Sequence, residues 1–258
     1  MSMSPRLLRP RATGFSPRSL SGLSIWLDAN TSGSLFQNSD GTSSSAAADD
    51  PVGYWKDLSG NGRHYTQGTN NNRPLLKLAT HNGKNSLYFD GSVSTLGITN
   101  SSTNIVNANI CDATGACAWV AYEPNGDSQY SALKTGYNVS GYDRFNTSNY
   151  HGYFRSLRFG ALANPAPSTG KTILTSSSVV AADKQAFRIN GAELQSQTCA
   201  TTYATWRGNA SGNWSVAQDA AYMAGWICEV IILGRAATDA EIAKVEKYLA
   251  SKYGITLA

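Results

Sequence analysis

Apolar and polar positions alternate over short distances along most of this 258-residue chain, and Gly, Asn, Asp or Pro closes nearly every run. LSIWLDA (residues 23–29) is a short apolar run ended by Asp-Ala-Asn, which predicts a strand. SLYFDG (86–91) and ACAWVAYE (116–123) predict two more, the second followed by the turn Pro124-Asn125-Gly126-Asp127. GYFRSLRFGA (152–161) alternates aromatic or Leu with polar side chains, the period of a half-buried strand. QAFRINGAEL (185–194) sets Asn190-Gly191 between two β-like runs, a strong hairpin signal. GWICEVIIL (225–233) is almost continuously apolar and predicts a central strand covered on both faces. NSDGTSSSAAADDP (38–51) has no period and reads as a loop.

One stretch carries the helical period. In TDAEIAKVEKYLASKYG (238–254), Thr238 with Glu241 forms a capping box and Ile242, Val245, Tyr248 and Leu249 make an apolar stripe. Gly254 supplies the stop. Strands followed by a single closing helix predict an all-β fold, a two-sheet antiparallel jelly-roll sandwich with one C-terminal helix.

Charge changes this picture at one end only. The chain has 21 Lys and Arg against 17 Asp and Glu. Arg6, Arg9, Arg11 and Arg18 all precede the first acid, Asp28, so the remaining charges balance. Residues 1–21 therefore read as an extended basic arm rich in Pro and Arg, and 22–258 as the domain. A basic tail on a neutral body argues against a nucleic-acid-binding face, and points to an arm that docks on a partner. No apolar run suits a signal peptide or a membrane span, so synthesis in the cytoplasm and reduced cysteines are expected. Cys111 and Cys117 are close enough in sequence to bridge under oxidising conditions; no C-x-x-C spacing suggests zinc.

The densest collection of functional side chains is GYWKDLSGNGRHYTQ (53–67). Trp55 and Leu58 are expected in the core, with Asp57, Ser59 and Asn61 bonding local amides in a turn between strands. PAPSTGKT (165–172) mimics a phosphate-binding loop but has Pro where the first Gly belongs, and strand-like ILTSSSVV follows it instead of a helix. Paired carboxylates for glycoside hydrolysis are lacking: the Glu residues are 123, 193, 229, 241 and 246, and Glu229 has no acid at i+2 or i+4. His64, His81 and His151 lie in turn-like surroundings and are expected to be solvated loop residues, so a non-enzymatic protein is expected. Tyr142, Tyr150, Trp206 and Trp214, set among amide and hydroxyl side chains, are the candidate glycan-stacking aromatics; packing in the core or against a neighbouring subunit is the competing role.

GLSIWLDA (22–29), YWKDLSGNGRHYTQ (54–67), RPLL (73–76), NGKNSLYFDGS (82–92), FRINGAE (187–193) and residues 225–255 together resemble laminin-G-like, concanavalin A-like jelly-roll domains of bacterial and tailed-phage proteins. The resemblance implies two packed antiparallel sheets with the first and last strands as neighbours, and Glu229 paired inside or at the sheet edge. It also implies rim-loop calcium as an option, with Asp57 and Asp90 the candidate ligands; turn-capping aspartates look the same in sequence. No other cofactor is expected. The arm is similar to those of small phage virion proteins. The expected function is thus a structural virion protein, a capsid decoration or fibre at the virion surface. Its arm would anchor it to other virion proteins, and it would form a symmetric oligomer touching neither nucleic acid nor membrane. A carbohydrate-binding host-recognition adhesin is the alternative, and fold alone does not choose between them.

Overall fold

The computed structural model describes residues 14–45, 47–98, 115–125, 131–135, 144–148, 152–155, 170–179, 182, 184–198, 214–217 and 222–258. The first strands are β1 (Leu23–Asp28), β2 (Leu35–Phe36), β3 (Tyr54–Trp55), β4 (Tyr65–Thr66), β5 (Leu75–His81) and β6 (Lys84–Asp90). Then come β7 (Leu96–Ile98), β8 (Gly115–Pro124), β9 (Ser131–Thr135), β10 (Arg144–Ser148) and β11 (Gly152–Arg155). The last are β12 (Thr172–Val179), β13 (Lys184–Ile189), β14 (Ala192–Thr198), β15 (Trp214–Val216) and β16 (Ala224–Leu233), before the helix α1 (Asp239–Tyr253).

These strands form two antiparallel sheets. One runs β14-β13-β12-β8-β16-β6-β5, with β1 also paired to β16; the other runs β11-β10-β9-β15-β7-β4-β3-β2. The first and last strands are neighbours, as the resemblance implies, with Leu27 opposite Val230 and Asp28 opposite Glu229. The Asn190-Gly191 hairpin forms as the dipeptide predicts, both residues at positive φ (49° and 86°). TDAEIAKVEKYLASKYG folds as expected: Thr238 and Glu241 complete the capping box, and Gly254 closes the helix at φ 67°.

Two apolar layers result. Alternate residues of the strands, such as Ile25, Leu87, Val120 and Ile232, meet Trp55, Tyr65 and Leu133 of the facing sheet. The opposite face of the β8–β16 sheet carries Trp119, Ile173, Ile231 and Leu233, which pack under Ile242, Val245 and Leu249 of α1. GWICEVIIL is thus covered on both faces over most of its length. Its alternation is reset by an irregularity in the β8 pairing between Ile227 and Glu229. A bulge sets two successive residues on one side; Cys228 and Glu229 both face the helix, while Ile227 and Val230 both face the facing sheet.

The root of the basic arm belongs to this packing. Pro17 and Leu20 are buried, Leu20 within the layer under α1, and the Phe15 ring lies edge-on to Tyr248 at 5.4 Å. Arg235 ties Ser21 to Glu241 of the helix. Residues 14–21, read from sequence as arm, are therefore joined to the body; Arg18 among them is exposed. Arg6, Arg9 and Arg11 lie outside the described residues.

Candidate functional site

The turn after β3 is built around Asp57. Its carboxylate accepts from the backbone N–H groups of Trp26, Ser59 and Arg63 and from the Ser59 hydroxyl, all within 3.0 Å. Asn61 donates to the carbonyls of Leu23 and Ser24, so the turn clips β1 to the facing sheet. Asp90 is engaged the same way, by the N–H groups of Ser92, Val93 and Ser94 and by the Ser92 hydroxyl. Burial alone would raise its pKa, but these donors hold it well below the usual carboxylate range. Both aspartates cap turns, and their oxygens already accept hydrogen bonds that a calcium ion would have to displace. Among the described residues, no group of three or more His, Cys, Asp or Glu is placed to hold a metal ion.

The outer face of the β8–β16 sheet divides into a covered half and an open half. Under the helix lies Glu229, fully buried, where the resemblance implied a paired residue. Its Oε1 accepts from the Trp26 indole (2.7 Å) and Tyr248 (3.0 Å), and its Oε2 from Lys252 (2.7 Å) and Tyr253 (2.7 Å). Lys252 also sits 2.9 Å from Asp28 Oδ2. Burial raises the Glu229 pKa first and the Asp28 charge adds to it, while Lys252 opposes both. A second buried acid, Glu246 of α1, takes Arg188 Nε at 2.9 Å and the Thr175 hydroxyl at 2.8 Å. Each of these carboxylates is buried between helix and sheet.

Beyond the helix, the same sheet face carries Tyr88 and Trp226, cross-strand partners on β6 and β16. Their rings are 5.2 Å apart and inclined by 49°. Both are half-buried and belong to neither apolar layer, although Leu87, Phe89 and Ile227 beside them are core. Glu123 lies opposite Trp226 on β8. Gly225 makes that approach feasible, since a β-carbon there would sit 2.3 Å from the Glu123 carbonyl oxygen. The Lys77 ammonium, paired with Asp49, stands 5.6 Å from the centre of the Tyr88 ring.

His81 marks the border between the halves. It was expected in a solvated loop, but its side chain is only 2% exposed. An irregularity in the β5–β6 pairing between Lys77 and His81 carries it onto the sheet face, where turn-like sequence gives no sign of burial. Its Nε2 lies 3.1 Å from Glu123 Oε2, off the hydrogen-bonding direction, so this nitrogen is buried without an aligned partner. Burial, reinforced by the charge of Lys171, lowers its pKa to about 4.

The aromatics singled out in the sequence fall elsewhere. Tyr142, Tyr150 and Trp206 lie outside the described residues, as do His151, Cys111 and most of PAPSTGKT. Trp214 opens β15 opposite Ile98, its side chain not among those described. Cys117 is a free, buried thiol in the layer under the helix, and ILTSSSVV forms a strand as expected. Tyr88 and Trp226 were missed as a site because each sits in a run whose other residues are core. The signal available was their shared parity: both take the side opposite to their core neighbours.

No family model matches the chain, and no characterised protein matches it by sequence. Similar solved structures include Trypanosoma rangeli sialidase in complex with sialic acid (12% identity, TM-score 0.53), covering 93% of this chain and 34% of that one. The receptor-binding domain of botulinum neurotoxin D (11%, 0.54) covers 90% of this chain and 54% of its own. An arabinofuranosidase complexed with arabinofuranosyl-α-1,2-xylobiose (12%, 0.54) covers 79% and 51%. The chain thus spans about a third to a half of these longer proteins. At such identity the likeness establishes the fold alone, a two-sheet β-sandwich.

Proposed function

We propose that the chain is a non-enzymatic display domain, a structural protein of a phage virion held by its basic N-terminal arm. The observation that supports it is the packed root of that arm. Phe15, Pro17 and Leu20 fix where residues 1–13 leave the body, so a docked arm would hold the sandwich in a defined orientation rather than on a loose tether. The arginines of the arm suit carboxylates or carbonyl oxygens on a partner. Deleting residues 1–13, and leaving 14–21 to protect the fold, should abolish saturable binding to purified virions that lack the protein. Equal binding by both forms would end the anchor reading.

A second reading, a carbohydrate-binding adhesin, is favoured by the open half of the sheet face. It gathers an aromatic pair, an acid and an amine at a solvent boundary, the mixture of stacking surface and hydroxyl partners that sugars require. The acid beside its aromatics, Glu123, has no second carboxylate described next to it to complete a hydrolytic pair. A glycan array probed with the full chain tests this reading, and turnover of any bound glycan would overturn its non-enzymatic part.

A further inference from the structure

We propose that the open half of the outer sheet face is a platform for a neutral pyranoside, stacked on Tyr88 and Trp226 and hydrogen-bonded by Glu123. This rests on the carbohydrate-binding reading and adds the place and the ligand class. Four observations carry it. The two aromatics are contiguous across the β6–β16 ladder, outside both apolar layers, and their rings, 5.2 Å apart and inclined by 49°, present a combined apolar surface. The C–H face of a pyranose has the polarity to stack on such a surface. Aromatic faces placed this way bury large area while their polar tips stay available.

The second observation is the acid beside the aromatics. Glu123 sits opposite Trp226, 30% exposed, and can accept from two adjacent hydroxyls at once. The third is its backing. The Nδ1 of the nearly fully buried His81 meets the Thr80 hydroxyl at 2.9 Å, but its Nε2, without an aligned partner, stands 3.1 Å behind the carboxylate, and Gly225 brings the β8 backbone close. Polar burial of this kind costs stability unless something completes it, and a hydroxyl that draws Glu123 into line with His81 would do so.

The fourth is charge. Lys77, the cation over the Tyr88 ring, is already paired with Asp49, and the acid beside the aromatics, Glu123, is itself an anion. A sugar carboxylate stacked on the aromatics would meet the Glu123 charge, which selects against acidic sugars. A second copy of this chain is the competing occupant. It would also cover the aromatics, but would have no use for an acid backed by a buried histidine.

Saturation-transfer NMR on the full chain tests the proposal, with the methyl glycosides of glucose, galactose, mannose and N-acetylneuraminic acid as probes. Ring C–H protons of a neutral glycoside should receive saturation. Trp226→Ala and Glu123→Gln should each weaken binding about tenfold or more while leaving the circular dichroism spectrum unchanged. Tyr88→Ala gives an independent check should Trp226→Ala fold poorly. If a neutral glycoside binds all three variants as it binds the parent, carbohydrate binding stands and this platform is wrong. Preference for the sialoside overturns the ligand class. If no glycoside binds the parent, the carbohydrate reading itself fails and takes the platform with it; so does a dimer that Trp226→Ala abolishes.

Discussion

Two halves of one sheet face use the same strands for opposite ends. Under α1, β8 and β16 present Trp119, Ala121 and Ile231 to a helix, and every buried acid there meets several donors. A few residues along the same strands, Trp226 and Glu123 face the boundary with water, and the Nε2 of His81 lacks an aligned partner. In the covered half every buried carboxylate is satisfied, and only the Trp119 indole N–H is left unpartnered among its described groups; in the open half the unpartnered atom is a histidine nitrogen set beside a carboxylate. Trp55, Tyr65 and Trp119 also carry an unpartnered polar atom deep in the core, so what sets the open half apart is that its unpartnered nitrogen lies beside a part-exposed acid and two half-buried aromatics.

Removing the covered half's components should have the largest effects. Trp119 is fully buried beneath the helix, and Trp119→Ala should cost about 3–5 kcal/mol in urea unfolding. Lys252→Met should cost a similar amount, about 3–5 kcal/mol, because it strands Asp28 and Glu229 without their shared cation. Glu229→Gln, which removes a charge instead of orphaning one, should cost clearly less. Equal costs would mean that Lys252 acts through packing.

Asp57 comes next. Asp57→Ala leaves three backbone N–H groups and a hydroxyl short of an acceptor, and should destabilise by about 2–3 kcal/mol in the same measurement. Because its oxygens are already engaged, calcium should leave the melting temperature of the parent unchanged. A calcium-dependent rise lost in Asp57→Ala or Asp90→Ala would restore a metal role to these turns.

How legible this was in the sequence depended on the range of the interactions involved. Local rules gave the helix, its capping box and the Asn190-Gly191 hairpin, because each is settled within a few residues. Core placement of Trp55 and Leu58 and the pairing of first and last strands also hold. The irregularities in β5 and β16 were not legible. Each is a departure from regular strand pairing, with the adjacent β6 in one case and the distant β8 in the other, and each redirects a titratable side chain: His81 onto the sheet face, Glu229 toward the helix. The open site was hidden for the same reason, since Tyr88, Glu123 and Trp226 come together only through strand register.

His81 makes the border between the halves measurable by pH. The unfolded chain takes up this proton near pH 6.5, whereas the folded chain resists until about pH 4. Its contribution is thus fully present above 6.5 and is lost as pH falls toward about 4. His81→Gln should flatten that part of the stability profile, whatever its effect at neutral pH. An unchanged slope would mean that Glu123 pairs with the protonated ring and offsets its burial.

The smallest expected effect is the most telling for the comparison. Trp226→Ala removes a side chain as large as Trp119 from the same sheet face, yet it should cost only about 1 kcal/mol, because the residue is half-buried and outside both apolar layers. A loss near that of Trp119→Ala would show that Trp226 is a core residue under another part of the chain, and the open half would then be no surface at all. A small loss leaves a large aromatic that the fold does not need for stability, set next to an acid and its buried histidine. Such a residue is held in place for contact with something outside the fold.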